Sequence, residues 1–167
     1  VKAIEQYLRE ISHQKTLILV SHSYGGAPAG VLAQRNSDLV DGLLLGSVLI
    51  SPEDEPIFWF NHLINTPLIH WIFPQFITMS NDEKLKHAAM LKEIEHIWPK
   101  IECPVYILHG DKDWIAPPVN ADYAVKKLKN NPSVHLAMIE NQDHLIQLNG
   151  QGLIVQGIHW LLDNQQM

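Results

Sequence analysis

The chain has 167 residues, 46% of them hydrophobic, the size and content of one ordinary domain with a real core, which excludes disordered, collagenous and coiled-coil chains. A net charge of -6, from 12 basic and 18 acidic residues without long runs, offers nothing to hold a nucleic-acid backbone or an anionic membrane surface. The single cysteine, Cys103, rules out an intrachain disulfide, and the longest apolar runs fall far short of the roughly 20 residues that span a bilayer.

Val1, Ile4, Leu8 and Ile11 recur at helical spacing among charged residues, which predicts an amphipathic helix ending near Ser12. Thr16 to Val20 is apolar without alternation, the pattern of a strand buried on both faces of a parallel sheet. A turn of small residues, Ser21 to Gly26, leads into a helix from Ala27 to Gln34, and Gly42 to Val48 is a second apolar strand.

From Ser51 to Lys100 the texture changes. Five prolines punctuate a stretch carrying Phe58, Trp59, Phe60, Trp71, Phe73, Phe76 and Trp98. A segment of roughly fifty residues exceeds what one crossover helix needs, so it reads as an insertion of short helices, the best of them Asp82 to Trp98. Its aromatics either cover a pocket or pack these helices on the core. The alternation then resumes, with strands at Pro104 to His109 and Val134 to Ile139 and helices at Val119 to Lys129 and Gln147 to Leu162. The fold class is therefore α/β, a mostly parallel sheet with helices on both faces; residues 1–50 and 101–167 form the core, and 51–100 are inserted.

Ser21 to Gly26 contains the pattern small-x-Ser-x-Gly between an expected strand and an expected helix, with Ser21 where glycine is commoner. A strand reversing into a helix holds Ser23 at its apex, and Tyr24 would offer the backbone N–H for an oxyanion at the helix N-terminus. A serine at neutral pH needs a base within reach, and the base needs an orienting acid. Asp111 and Asp113 follow the third strand; Asp143 and His144 follow the fourth, so carboxylates and an imidazole stand just past strand ends, where open α/β sheets place their sites. His22 reads as a structural neighbour, and His109 as packed. No histidine, cysteine and carboxylate cluster has metal spacing, and Gly25-Gly26 lacks the Lys-Ser/Thr of a nucleotide-binding turn, so neither a metal nor a cofactor is expected.

Through Leu17 to Gly26, Cys103 to Pro117 and Asn141 to His144, the sequence resembles the α/β-hydrolase family, in its C-terminal part. The resemblance covers nearly the whole chain and extends to the insertion, which is similar to the lid of bacterial members. It implies Ser23 as nucleophile, Asp113 as the acid rather than Asp111 or Asp143, and His144 as base. It further implies hydrolysis of an ester, thioester or related carbonyl through an acyl-enzyme. The substrate would be a small molecule with an acyl group, with Phe58, Trp59, Trp71 and Trp114 lining or covering its pocket. A ligand-binding sensor and a non-catalytic remnant of the same fold are the alternatives.

Family members carry further strands and a second oxyanion donor before the nucleophile strand, whereas one helix precedes Thr16 here. The expectation is a C-terminal part of a longer protein, with weak or no activity alone, since a lost oxyanion donor costs on the order of a hundred- to a thousandfold. Its first strand would be an open edge for a missing segment or for self-association. The compartment stays open, with the cytoplasm favoured.

Overall fold

Four apolar stretches pair side by side in the computed structural model, which describes residues 2–11, 16–54, 66 and 86–165. They are β1 (Ile18–His22), β2 (Gly42–Gly46), β3 (Val105–Gly110) and β4 (Val134–Ile139), in the spatial order β1-β2-β3-β4, and every pair is parallel. The register sets His22 beside Gly46, Gly46 beside Leu108, and Gly110 beside Ile139. The residues following the four strands therefore emerge along one edge of the sheet.

Alternation along β2 and β3 builds two cores, because successive side chains point to opposite faces. Leu43, Leu45, Val105 and Ile107 join Ala29, Val31 and Ala33 of α2 (Gly26–Arg35), Ala121 and Ala124 of α4 (Val119–Lys127), and Trp98. Leu44, Tyr106 and Leu108 face Leu153, Ile154, Ile158 and Leu161 of α5 (Gln151–Asp163). Helices thus cover both faces, as expected. The described residues also form α1 (Lys2–Ile11) and α3, residues 86–94, which tightens into a 3-10 helix over Glu95–Lys100. The sequence predicts one helix to Trp98. Pro99 explains the change, since it disfavours α geometry in the residue before it.

Two further boundaries differ from expectation. β1 runs through Ser21 and His22, paired with Leu45 and Gly46, where a turn was expected to begin; one residue, Ser23, makes the reversal. The closing helix is split at Gly150 into one turn, Ile146–Asn149, and α5. Among the described residues β1 has one strand neighbour, and Val20 is half exposed, whereas the apolar run taken alone reads as buried on both faces. Most of the insertion at 51–100, including Phe58, Trp59 and Trp71, lies outside the described residues.

Candidate active site

β1 ends at His22, and the next residue turns the chain. Ser23 has φ 54°, opens a single 3-10 turn (Ser23–Gly25), and α2 follows from Gly26. Left-handed backbone costs a non-glycine residue about 1–2 kcal/mol, so the surroundings must hold it. Two backbone N–H groups, of Gly26 and Leu49, donate to the Ser23 carbonyl. The tight approach falls at Gly26, where a Cβ would lie 2.6 Å from Val48 Cγ1. At Gly25 a Cβ would meet only Ser21 Cβ, at 3.8 Å, which is ordinary contact. Ser21 is accommodated because its hydroxyl donates to the Leu44 carbonyl at 3.0 Å.

The loop after β3 carries Asp113. Asp113, 2% exposed, accepts the N–H groups of Ile115 (3.0 Å) and Ala116 (2.8 Å) on Oδ1, a side-chain turn that fixes the carboxylate plane. Asp111 Oδ1, by contrast, is buried without a partner among the described residues. The loop after β4 carries His144. Its Gln142 carbonyl takes the Lys112 N–H, which stitches the two loops together. Asp143 accepts the Leu145 N–H and so closes its own turn.

Ser23, Asp113 and His144 meet at this edge. His144 Nδ1–H donates to Asp113 Oδ2 at 2.8 Å, and Nε2 lies 3.0 Å from Ser23 Oγ. An anionic acceptor at Nδ1 puts the ring proton there and leaves the Nε2 lone pair for the serine hydroxyl. Such a hydroxyl can lose its proton as it attacks an electrophile. His22 Nε2–H donates to the His144 carbonyl at 2.9 Å, and the two rings lie 4.7 Å apart, so the residue before the apex serine also steadies the base.

Next in sequence to the three stand exposed residues with large apolar side chains. Tyr24 packs edge-on against His87 of α3 with centroids 4.3 Å apart, Trp114 is 73% exposed beside Asp113, and Leu145 is exposed beside His144. A separate cleft of about 250 Å³ is lined by Pro52, Glu53, Ala88, Ala89, Lys92 and Glu95, none of them in the trio. Burial pushes the Cys103 thiol up to about 12, far from reactive thiolate chemistry. No described helix is long and apolar enough to cross a membrane.

Sequence reasoning missed Asn120. Fully buried at the start of α4, its Oδ1 accepts the N–H groups of Ile50 and Ser51, both at 2.9 Å, and its amide donates to the Pro117 carbonyl. It ties the chain leaving β2 to the segment after the acid loop. Partners 69 and 70 residues away leave no local signal. Asn120→Ala strands two buried N–H groups and is expected to lower the unfolding free energy by about 2–4 kcal/mol in urea melts. A loss within about 0.5 kcal/mol would show that water reaches those groups.

The chain matches no family model. It is 32% identical over 76 residues to the proline iminopeptidase PfmaB of Pestalotiopsis fici, a match covering 46% of this chain and 25% of that protein. It therefore spans about a quarter of that relative's length. Among solved structures it is similar to a monoacylglycerol lipase of Paleococcus ferrophilus, with TM-score 0.67, 16% identity, and coverage of 97% of this chain and 73% of that one. It is also similar to mouse alpha/beta hydrolase domain-containing protein 10, with TM-score 0.64, 21% identity, and coverage of 97% and 67%.

Proposed function

We propose that this chain, which has the α/β-hydrolase fold, works as a serine hydrolase on ester, thioester or related acyl substrates. The observation that carries the reading is the unbroken hydrogen-bond chain from Asp113 Oδ2 through His144 to Ser23 Oγ. In this reading Ser23 Oγ bonds to the acyl carbon while His144 Nε2 takes its proton. The oxyanion is held by the Tyr24 backbone N–H at the start of the helical turn. Collapse of the adduct breaks the bond to the leaving group, which receives the proton from His144. Water then attacks the acyl-enzyme and gives a proton to His144; the bond from the acyl carbon to Ser23 Oγ breaks, the acid leaves, and His144 returns the proton to Oγ. Asp113 keeps the imidazole in the required tautomer and stabilises its cation throughout.

The apolar side chains beside each member, Tyr24, Trp114 and Leu145, support a partly apolar acyl group. Phe58, Trp59 and Trp71 complete that lining in the same reading, with residues 51–100 as a lid over a core of 1–50 and 101–167. The partial match to a proline iminopeptidase brings amide carbonyls into the range worth testing.

The test is a series of p-nitrophenyl esters of increasing acyl length, with proline p-nitroanilide as the amide. The expected result is turnover that rises with acyl length at first, as apolar surface is buried. In the full-length protein, turnover no faster than buffer for every ester and for the anilide would refute the reading.

A further inference from the structure

His109 stands next to the end of β3, fully buried, on the same face as Val105 and Ile107 and beneath the acid loop. Its Nε2–H donates to the Ala116 carbonyl at 2.8 Å. The N–H of that same Ala116 donates to Asp113 Oδ1. One residue is therefore gripped on its carbonyl side by His109 and on its amide side by the acid. His109 Nε2 is also 3.7 Å from Asp113 Oδ2, the oxygen that receives His144. A histidine with a free or second N–H here would compete with His144 for that oxygen. The geometry prevents it: the Nε2 proton is committed to Ala116, and Nδ1 is buried with no partner among the described residues, so nothing is placed to receive a second ring proton.

We propose that His109 is a positioning residue which, held neutral with its one proton on Ala116, fixes the loop carrying Asp113 and reserves Asp113 Oδ2 for His144. The inference rests on the hydrolase reading above for its effect on rate, but the geometry it claims can be read without turnover. The charged and titratable groups acting on His109 are Asp113, His144 and Asp122; burial, with His144 acting the same way, outweighs the Ala116 carbonyl, Asp113 and Asp122 and pushes its pKa down, which favours the neutral ring.

The experiment uses the full chain, with His109→Phe and His109→Gln. Phenylalanine keeps the ring and removes the donor, whereas glutamine keeps a neutral N–H that reaches Ala116. In His109→Phe, kcat is expected to fall about 10- to 100-fold with KM little changed, because the acid is no longer held to the base. The His144 Nδ1–H resonance followed by NMR should move upfield, since a loosened bond to Asp113 deshields that proton less. His109→Gln should restore most of the rate and the resonance. In the wild-type protein, ring nitrogen shifts of His109 should report a neutral Nε2–H ring at neutral pH.

A folded His109→Phe with an unmoved His144 Nδ1–H resonance would overturn the proposal, as would a wild-type His109 that is protonated at neutral pH. If His109→Phe does not fold, the wild-type nitrogen shifts and His109→Gln decide it. Should no ester be turned over by the full-length protein, the hydrolase reading fails by itself, while the NMR readouts still test the placement of His109.

Discussion

Replacing Ser23 by alanine is expected to lower ester turnover by about 10⁴- to 10⁶-fold, with the fold unchanged. The side chain is half-buried at the apex of a turn whose backbone is held by other groups: the Ser23 carbonyl accepts from Gly26 and Leu49, and Gly26 is fitted against Val48. Removing the hydroxyl therefore removes the nucleophile without disturbing the elbow. Any residual rate reflects binding and the oxyanion donor acting on water. The strained backbone adds a second readout. Ser23→Gly should be equally inactive yet more stable than Ser23→Ala by about 1 kcal/mol in thermal melts, because only glycine takes φ 54° freely. Ser23→Ala retaining more than about a tenth of the wild-type rate would remove Ser23 from the chemistry.

Asp113→Asn is expected to cost about 10⁴-fold in kcat while leaving the loop folded. The contacts dictate which way the amide turns. Oδ1 accepts two backbone N–H groups, from Ile115 and Ala116, so asparagine keeps its oxygen there and presents its NH₂ where Oδ2 met His144. A donor facing Nδ1 forces the ring proton onto Nε2, which then points an N–H at Ser23 and cannot take its proton. Asp113→Ala makes the contrast: it strands the same two N–H groups and the ring, so it should lose about 2–4 kcal/mol of stability as well as activity. The pair separates tautomer control from loop support, through kcat in one variant and urea melts in the other. Activity within about tenfold of wild type in Asp113→Asn would show that Asp113 does not set the ring's tautomer.

What could be read from the sequence follows a simple physical line. β2, β3 and their neighbours are legible because buried parallel strands are unbroken apolar runs, and the site is legible because its parts stand directly after those runs. Ser23 is marked by the small residues around it, and His144 by its place after Ile139 and a turn. The choice of Asp113 over Asp111 and Asp143 was not available from spacing and came from the family resemblance. In the structure the distinction lies in a buried Asx turn aimed at the imidazole.

The less legible features depend on distant partners. Asn120 meets Ile50 and Ser51, Gly30 is required because a Cβ would lie 2.6 Å from the Trp98 ring, and Gly26 is required by Val48. Local pattern also overran the ends of elements. Pro99 and Gly150 were visible as residues, but whether each would tighten, split or merely bend a helix is decided by packing. His109 read as a packed residue, and it is packed; its donor to Ala116 depends on a loop conformation that no periodicity encodes.

The central claim is that Ser23 Oγ, deprotonated through His144, is the atom that attacks. It is tested most directly by treating the folded protein with a fluorophosphonate, in which Oγ displaces fluoride from phosphorus, and mapping the adduct by peptide mass spectrometry. The account predicts one phosphonyl group per chain on the Ser23 peptide, formed by the native protein, absent from Ser23→Ala and much slower in His144→Ala. An adduct on another residue, or an unmodified Ser23 in folded protein that hydrolyses esters, would contradict it.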